Sequence, residues 1–107
     1  MSVHIIAMLK FTDIASYRRY EKAFPQVFVK FNGTVLVADE APRKLEGSWC
    51  VDKVVVLSFP SEADAVAFQA APEYQEISHD RRAGAECAVF MVRGFGTRRA
   101  DAHESAA

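Results

Sequence analysis

Cysteine is scarce in this sequence, and the familiar motifs of metal, nucleotide and acyl-transfer chemistry are missing. Cys50 and Cys87 form no CxxC pair and are too few for a disulfide scaffold, so we expect two free thiols in a reducing cytoplasm. The histidines have no metal-ligand spacing, and the chain has neither a Walker-type loop nor a GxSxG motif. The sequence therefore predicts no metal site and no bound cofactor.

An excess of charge of one sign and long apolar runs are also lacking. The formal net charge is -1, with 13 Lys and Arg mixed among 14 Asp and Glu, so neither nucleic acid nor an acidic membrane is expected as a partner. No apolar run reaches the roughly 20 residues that cross a bilayer, and the first ten residues lack the features of a signal peptide. These absences predict a single cytoplasmic domain for a chain of 107 residues.

The apolar pattern predicts four strands separated by two helical regions. Short, strongly apolar runs over residues 3–10, 34–39, 53–59 and 87–93 are typical of strands. The order β-α-β-β-α-β is the ferredoxin-like plan of an α+β protein, a four-stranded antiparallel sheet with two helices on one face. Little remains to be buried after Phe95, so we expect a domain over residues 1–95 and a flexible tail over 96–107.

The first helical region begins at Ile14 and carries an apolar stripe at helical spacing. It passes through Pro25, where we expect a kink or an interruption because proline lacks the amide hydrogen. Asn32-Gly33 is expected to close the helix, since glycine accepts a left-handed conformation at a helix end.

The second helical region follows strand 53–59 directly. Ser61 is expected to cap it, with Asp64 three residues further on. Pro72 divides the region into two segments of different direction, and Gly84 ends it. A long connection over residues 39–52 precedes the third strand. Connections of this length are often functional, and the alternative is a hairpin that is extended by a few extra pairs.

Both faces of the strands are apolar, which two helices on one face do not explain. In the third strand Val55 and Leu57 point one way while Val54 and Val56 point the other. The bare face amounts to roughly 600 to 800 Å², about what one partner contributes to a stable interface. We therefore predict a homodimer joined sheet to sheet.

Several segments resemble the domain-of-unknown-function 1330 family. They are GTVLV at 33–37, LEGSW at 45–49, VVVLSFPS at 54–61, APEYQ at 71–75 continuing to Arg81, and VRG at 92–94. The resemblance implies a dimeric α/β barrel, in a superfamily with small cofactor-free monooxygenases, haem-degrading enzymes, muconolactone isomerases and chlorite-dismutase-like proteins. It implies no settled activity. The sequence departs from the pattern at Ala71, where serine is common, and at Phe68-Gln69, where a Trp-Tyr pair is common.

In this superfamily the usual pocket lies between helices and sheet, which directs attention to the polar residues of the second helical region. Arg81 is the first candidate, as a guanidinium fork for a carboxylate ligand; the alternative is a salt bridge to Glu46 that pins the helix to the loop. His79, beside Asp80, is a candidate general base or haem ligand, and the alternative is a solvated helix residue.

Aromatic side chains with a polar tip supply the rest of the predicted site. Four aromatic residues suit a pocket for an aromatic ligand, and an ordinary core or a dimer edge is the alternative: Tyr17, Tyr20, Trp49 and Tyr74. The predicted ligand-binding residues are Tyr17, Glu46, Trp49, Tyr74 and Arg81, and the catalytic candidates are His79 and Arg81. Two functions follow: a homodimer that binds a small aromatic or carboxylate ligand in a helix-sheet cleft, or a cofactor-free monooxygenase or isomerase. Whether any reaction is catalysed stays open at this point.

Overall fold

A computed structural model describes residues 2–95, so the predicted tail over 96–107 lies outside the described residues. The elements are β1 (Val3–Phe11), α1 (Ile14–Phe28), β2 (Thr34–Asp39), β3 (Lys53–Phe59), α2 (Glu62–Ala70), α3 (Pro72–Gly84) and β4 (Ala85–Arg93). The strands form one antiparallel sheet in the order β2-β3-β1-β4. Within residues 2–95, no helix has both the length and the apolar character that crossing a membrane requires.

The α+β class and the four antiparallel strands are confirmed, but the predicted count of two helices is wrong. Ala71 adopts an extended conformation (φ -62°, ψ 131°) between α2 and α3, and Pro72 occupies the first turn of α3. Proline has no amide hydrogen for the α2 hydrogen-bond ladder but fits the first turn of a new helix. The second helical region is therefore two helices.

The two ends of α1 arise from different causes. Asp13 caps the start, where its Oδ2 accepts a hydrogen bond from the Ser16 hydroxyl at 2.9 Å. The helix continues through Pro25 without interruption and ends at Phe28, before the predicted Asn32-Gly33 closure. That predicted closure is wrong, because Gly33 does not adopt the left-handed conformation. Among the described glycines only Gly47 has a positive φ, of 94°. Gly33 is needed for space instead, since a Cβ there would lie 2.4 Å from the Phe28 ring.

The predicted cap of the next helix is confirmed. The Ser61 hydroxyl oxygen accepts a hydrogen bond from the Asp64 backbone N–H at 3.2 Å and donates to the Asp64 carboxylate at 3.0 Å. These bonds satisfy an otherwise unpaired amide of the first helical turn and start α2 two residues after β3.

The core lies between the helices and one face of the sheet. Five strand residues on that face are almost fully buried: Val3, Ile5, Leu9, Leu57 and Phe59. Phe68 of α2 is at the centre of the aromatic packing, with its ring centroid 5.6 Å from that of Phe59 and 5.3 Å from that of Phe28. This packing holds the helices at a defined distance from the sheet.

The opposite face of the sheet, called the outer face below, is apolar and incompletely buried in the single chain. Its side chains come from all four strands: Ile6, Met8, Val37, Val54, Val56, Phe90 and Val92. Val37 belongs to it because a bulge between Val35 and Val37 shifts the register, so that Val37 pairs with Val56. The sequence prediction of two apolar faces is therefore confirmed in the single chain.

Candidate functional site

A cleft of about 190 Å³ lies between α1 and the β2-β3 side of the sheet. Most of its lining is apolar: Phe24, Pro25, Val35, Ala38, Val55 and Leu57. The polar lining residues are Tyr17, Tyr20, Glu21 and Lys53. An apolar space with a few converging polar groups is the usual form of a small-molecule site.

Lys53 is the most unusual residue of the cleft, because a lysine with 4 % exposure faces the core side of β3. Its Nζ lies 2.9 Å from Glu21 Oε2, 3.2 Å from Glu40 Oε2 and 4.8 Å from the centroid of the Tyr17 ring. Burial opposes the ammonium charge, but the interactions with Tyr17, Glu21 and Glu40 outweigh it and raise the pKa of Lys53. Lys53 is therefore a cation at neutral pH and serves as a hydrogen-bond donor.

Arg18 completes an ionic cluster with these residues, called the Lys53 cluster below: Arg18, Glu21, Glu40 and Lys53. The Arg18 guanidinium donates to both carboxylate oxygens of Glu40, and its Nη1 lies 2.9 Å from Glu21 Oε1. Two cations and two anions balance, so the cluster is neutral. Because Glu40 follows β2 directly, the cluster ties the edge of the sheet to α1 and β3.

The Lys53 cluster predicts a specific acid sensitivity. Hydrogen bonds from Arg18 lower the pKa of Glu40 from 4.5 to about 2. A carboxylate with a lowered folded-state pKa contributes stability above its unfolded-state pKa, and that contribution is lost as the pH falls. We therefore expect the free energy of unfolding of Glu40→Gln to fall less than that of the wild type as the pH is lowered from 4.5 to 2.

Urea denaturation at several pH values measures this effect. Glu76→Gln, at an exposed position of α3, is the control, and the slope of its free energy of unfolding against pH should equal that of the wild type. The difference should shrink in 0.5 M salt because the Glu40 side chain is partly exposed and screening acts on it. Equal slopes for wild type and Glu40→Gln would contradict the assignment.

Behind the cleft wall lies a buried chain of tyrosines. The Tyr17 and Tyr20 ring centroids are 5.6 Å apart, and the hydroxyls of Tyr20 and Tyr74 are hydrogen-bonded at 2.9 Å. Burial and the neighbouring Tyr74 raise the pKa of Tyr20 above its usual value. The Tyr20 phenol is therefore neutral, and it exchanges a hydrogen bond rather than acting as a phenolate base.

Arg81 lies beside this tyrosine chain. Its guanidinium carbon is 5.8 Å from the Tyr20 ring centroid, and its Nε is buried without a hydrogen-bond partner. Only 8 % of the residue is exposed. Among residues 2–95 no salt bridge joins Arg81 to Glu46, so the alternative of an ion pair that pins α3 to the loop is not realised.

The structure brings together only part of the residue set chosen from sequence. Tyr17 lines the cleft, and Tyr74 and Arg81 stand behind it through Tyr20. Glu46 and Trp49 are exposed in the connection between β2 and β3, and His79 is exposed on α3. None of these three contributes to the cleft lining within the described part of the chain.

Sequence reasoning missed the Lys53 cluster. One signal was available: Lys53, Val55, Leu57 and Phe59 alternate along β3, which places the lysine on the buried face. A buried lysine requires paired carboxylates. Which carboxylates they are does not follow from the pattern, because Glu21 and Glu40 lie on other elements.

Residues 2–95 contain no group of three or more His, Cys, Asp or Glu that could hold a metal ion.

Comparison with known proteins gives a family and a fold. The sequence model of a family described as "Domain of unknown function (DUF1330)" matches residues 2–95. No curated protein matches the sequence.

Three solved structures illustrate the similarity of fold. A protein of unknown function from Rhodopseudomonas palustris has a TM-score of 0.76 and 20 % identity, covering 88 % of this chain and 82 % of its own. A dimeric ferredoxin-like protein of unknown function from Jannaschia sp. CCS1 has a TM-score of 0.73 and 13 % identity, with 88 % and 100 % covered. SnoaB, a cofactor-independent oxygenase from Streptomyces nogalater, has a TM-score of 0.63 and 12 % identity, with 92 % and 94 % covered. At these identities the similarity concerns the ferredoxin-like fold.

Proposed function

This chain belongs to the DUF1330 family, and we propose that it is a homodimer that binds a small, mostly apolar aromatic ligand in the helix-sheet cleft. The observation that carries the proposal is an apolar cleft with a buried, charge-balanced ammonium, Lys53, in its lining. An ammonium that is kept charged in an apolar space offers a ligand oxygen a charged donor, in exchange for its present interaction with Tyr17.

The size and charge of the cleft narrow the ligand class. A volume of about 190 Å³ is below the roughly 300 to 1,000 Å³ of drug-sized sites, which favours one or two rings. A carboxylate ligand would add a third anion to two cations that Glu21 and Glu40 already neutralise. Of the two ligand classes predicted from sequence, a neutral aromatic with a phenol or carbonyl oxygen therefore fits better than a carboxylate.

The dimer part of the proposal rests on the outer face. Its central row has one residue from each strand: Val37, Val56, Ile6 and Phe90. No helix or strand within residues 2–95 packs over this row. A continuous apolar surface that extends over all four strands of a sheet marks an interaction site. Several structures of similar fold are described as dimeric, which supports a second copy as the cover.

Two variants test the cleft, with 2-naphthol and 2-naphthoate as probes in calorimetric titration. We expect 2-naphthol to bind the wild type more tightly than 2-naphthoate. Lys53→Met should weaken 2-naphthol binding about 10- to 100-fold, since a hydrogen bond from a charged donor contributes about 1.5 to 3 kcal/mol. Ala38→Leu should abolish binding by filling the cleft from β2.

The matched control is Ala63→Leu, the same change at an exposed position of α2. It should bind as the wild type does. Undiminished binding by Ala38→Leu would mean that the probe binds elsewhere, and tighter binding of 2-naphthoate would reverse the assigned ligand class.

A second candidate is a cofactor-free oxygenase that binds its substrate as a neutral phenol. The Lys53 ammonium favours this candidate because its hydrogen bond would stabilise the negative charge that develops on the phenol oxygen during the reaction with dioxygen. The fold similarity to SnoaB supports this candidate at the level of the fold. Oxygen uptake with a dihydroxynaphthalene, absent in Lys53→Met, is the expected result. Binding without oxygen uptake would support the ligand-binding proposal and contradict the oxygenase.

A further inference from the structure

The helix-sheet cleft has a polar end and an apolar end. Lys53 begins β3 and Tyr17 lies in the first turn of α1, so both stand at the same end. Leu57 lies four residues further along β3, roughly 13 Å away at about 3.3 Å per residue, and it pairs with Val35 of β2. A ligand whose oxygen contacts Lys53 therefore directs its apolar part toward Leu57 and Val35.

A second apolar space borders that apolar end. It is a groove of about 310 Å³, called the tail groove below, and it shares three lining residues with the cleft: Phe24, Pro25 and Val35. The other residues of its lining are also apolar: Phe28, Val29, Phe31 and Gly33. The tail groove thus extends the apolar end and not the end that carries the charges.

The shared residues indicate that the two spaces are successive parts of one gap. Pro25 belongs to α1 and Val35 to β2, so both sides of the cleft continue into the tail groove. Pro25 is exposed and Val35 is 46 % exposed, whereas side chains that met and closed the gap would bury each other. Within residues 2–95, α1 and β2 make almost no close contact. The cleft is therefore open toward the tail groove.

The walls of the tail groove follow the end of α1. The rings of Phe24 and Phe28 are stacked with their centroids 4.9 Å apart, and Val29 follows Pro25 at the four-residue spacing of one helix face. Val29 is nevertheless 77 % exposed. Singly exposed apolar side chains are common, but these form a row that prolongs a cleft. From Tyr17 to Val29 the row extends roughly 18 Å at about 1.5 Å per residue.

We propose that the ligand carries an apolar chain, with its oxygen-bearing ring at Lys53 and the chain in the tail groove. This inference rests on the ligand binding proposed above and narrows the ligand class to alkylated phenols or aromatic ketones. The cleft alone, at about 190 Å³, is small for a ligand site, whereas the cleft with the 310 Å³ of the tail groove falls within the usual range of roughly 300 to 1,000 Å³.

Chain length tests the inference, with 4-butylphenol and 4-octylphenol competing against bound 2-naphthol. Competition ensures that the phenol ring occupies the cleft. A fully buried methylene contributes about 0.8 kcal/mol, which is roughly fourfold in affinity. The tail groove is open to solvent on one side, so we expect the four additional methylenes to be about half covered and 4-octylphenol to bind about 10-fold more tightly than 4-butylphenol.

A variant in the tail groove separates binding there from general stickiness of the alkyl chain. Val29→Asp places a hydrated carboxylate in the groove wall at a position that is exposed and outside the core. It should reduce the affinity ratio of the two phenols to about threefold or less. Val66→Asp, the same change at an exposed apolar position of α2, is the matched control and should keep the ratio of the wild type.

Each outcome of these titrations has a definite meaning. If 2-naphthol binds but the two phenols bind equally, the chain projects into solvent and the inference is wrong while the proposed function stands. An unchanged ratio in Val29→Asp places the chain elsewhere and also overturns it. A lower mass of Val29→Asp in light scattering would show that a second copy covers the groove instead. Failure of 2-naphthol to bind overturns the proposed function, and this inference with it.

Discussion

Val56→Arg is expected to convert the proposed dimer into a folded monomer, whereas Leu57→Arg, one residue further along β3, is expected to prevent folding. Val56 lies in the central row of the outer face, between Val37 and Ile6. An arginine there leaves the core untouched but places like charges from two copies in one apolar interface, which costs several kcal/mol. A loss of about 3 kcal/mol raises the dissociation constant roughly 100-fold.

Leu57 points to the other face and is almost fully buried in the core. A guanidinium there has no carboxylate partner, so the loss should exceed about 4 kcal/mol, a large fraction of the total stability of a small domain. Sedimentation or light scattering gives the mass of Val56→Arg, and circular dichroism with thermal melting gives the fold of both variants. If Val56→Arg remains a dimer, the second copy does not pack on the outer face.

Gly84→Ala is expected to destabilise the domain by about 3 kcal/mol, because the last turn of α3 touches the backbone of α1. A Cβ at Gly84 would lie 2.5 Å from the Tyr17 amide nitrogen and 2.7 Å from the Asp13 carbonyl oxygen. Neither helix can yield easily, since the Gly84 carbonyl also accepts hydrogen bonds from the Thr12 and Asp13 amides at 2.9 and 3.1 Å. For a domain of this size such a loss lowers the melting temperature by roughly 12 to 24 °C.

The sign of the effect separates two explanations of this glycine. Helix propensity alone favours alanine over glycine by about 1 kcal/mol. If Gly84 served only as a helix end, Gly84→Ala would therefore stabilise the domain. Ala83→Gly, the reverse change at the exposed neighbouring position, should cost about 1 kcal/mol through propensity. Because Tyr17 lines the cleft, Gly84→Ala should also weaken 2-naphthol binding. A Gly84→Ala variant that melts above the wild type would show that the contact is relaxed.

The strands could be predicted because their signal is local. The alternation of Val54, Val55, Val56 and Leu57 is a property of adjacent residues, and it already indicated that both sheet faces are apolar. The cap at Ser61 and the break at Pro72 are local in the same way, since each depends on one side chain acting on its own turn. The error in helix count came from treating the two segments around Pro72 as one helix.

The glycines were predicted less well, since a sequence does not show what approaches them. Gly33 was predicted to close α1 and Gly84 to end the second helical region, and α3 does end at Gly84. Neither glycine has a positive φ, however, and each instead admits a neighbouring ring or backbone. The crowding at Gly84 comes from Asp13 and Tyr17, far away in the chain, so no local pattern contains it.

The sequence by itself determined the four strands and the two apolar faces of the sheet, because these follow from propensities and periodicities over a few neighbouring residues. The family followed from the resemblance of several segments to a known pattern. Only the tertiary structure decided the site. Lys53 finds its anions on α1 and after β2, and Arg81 finds an aromatic ring instead of Glu46. Pairing between charges depends on where distant segments meet, and that is set by the packing of helices on the sheet.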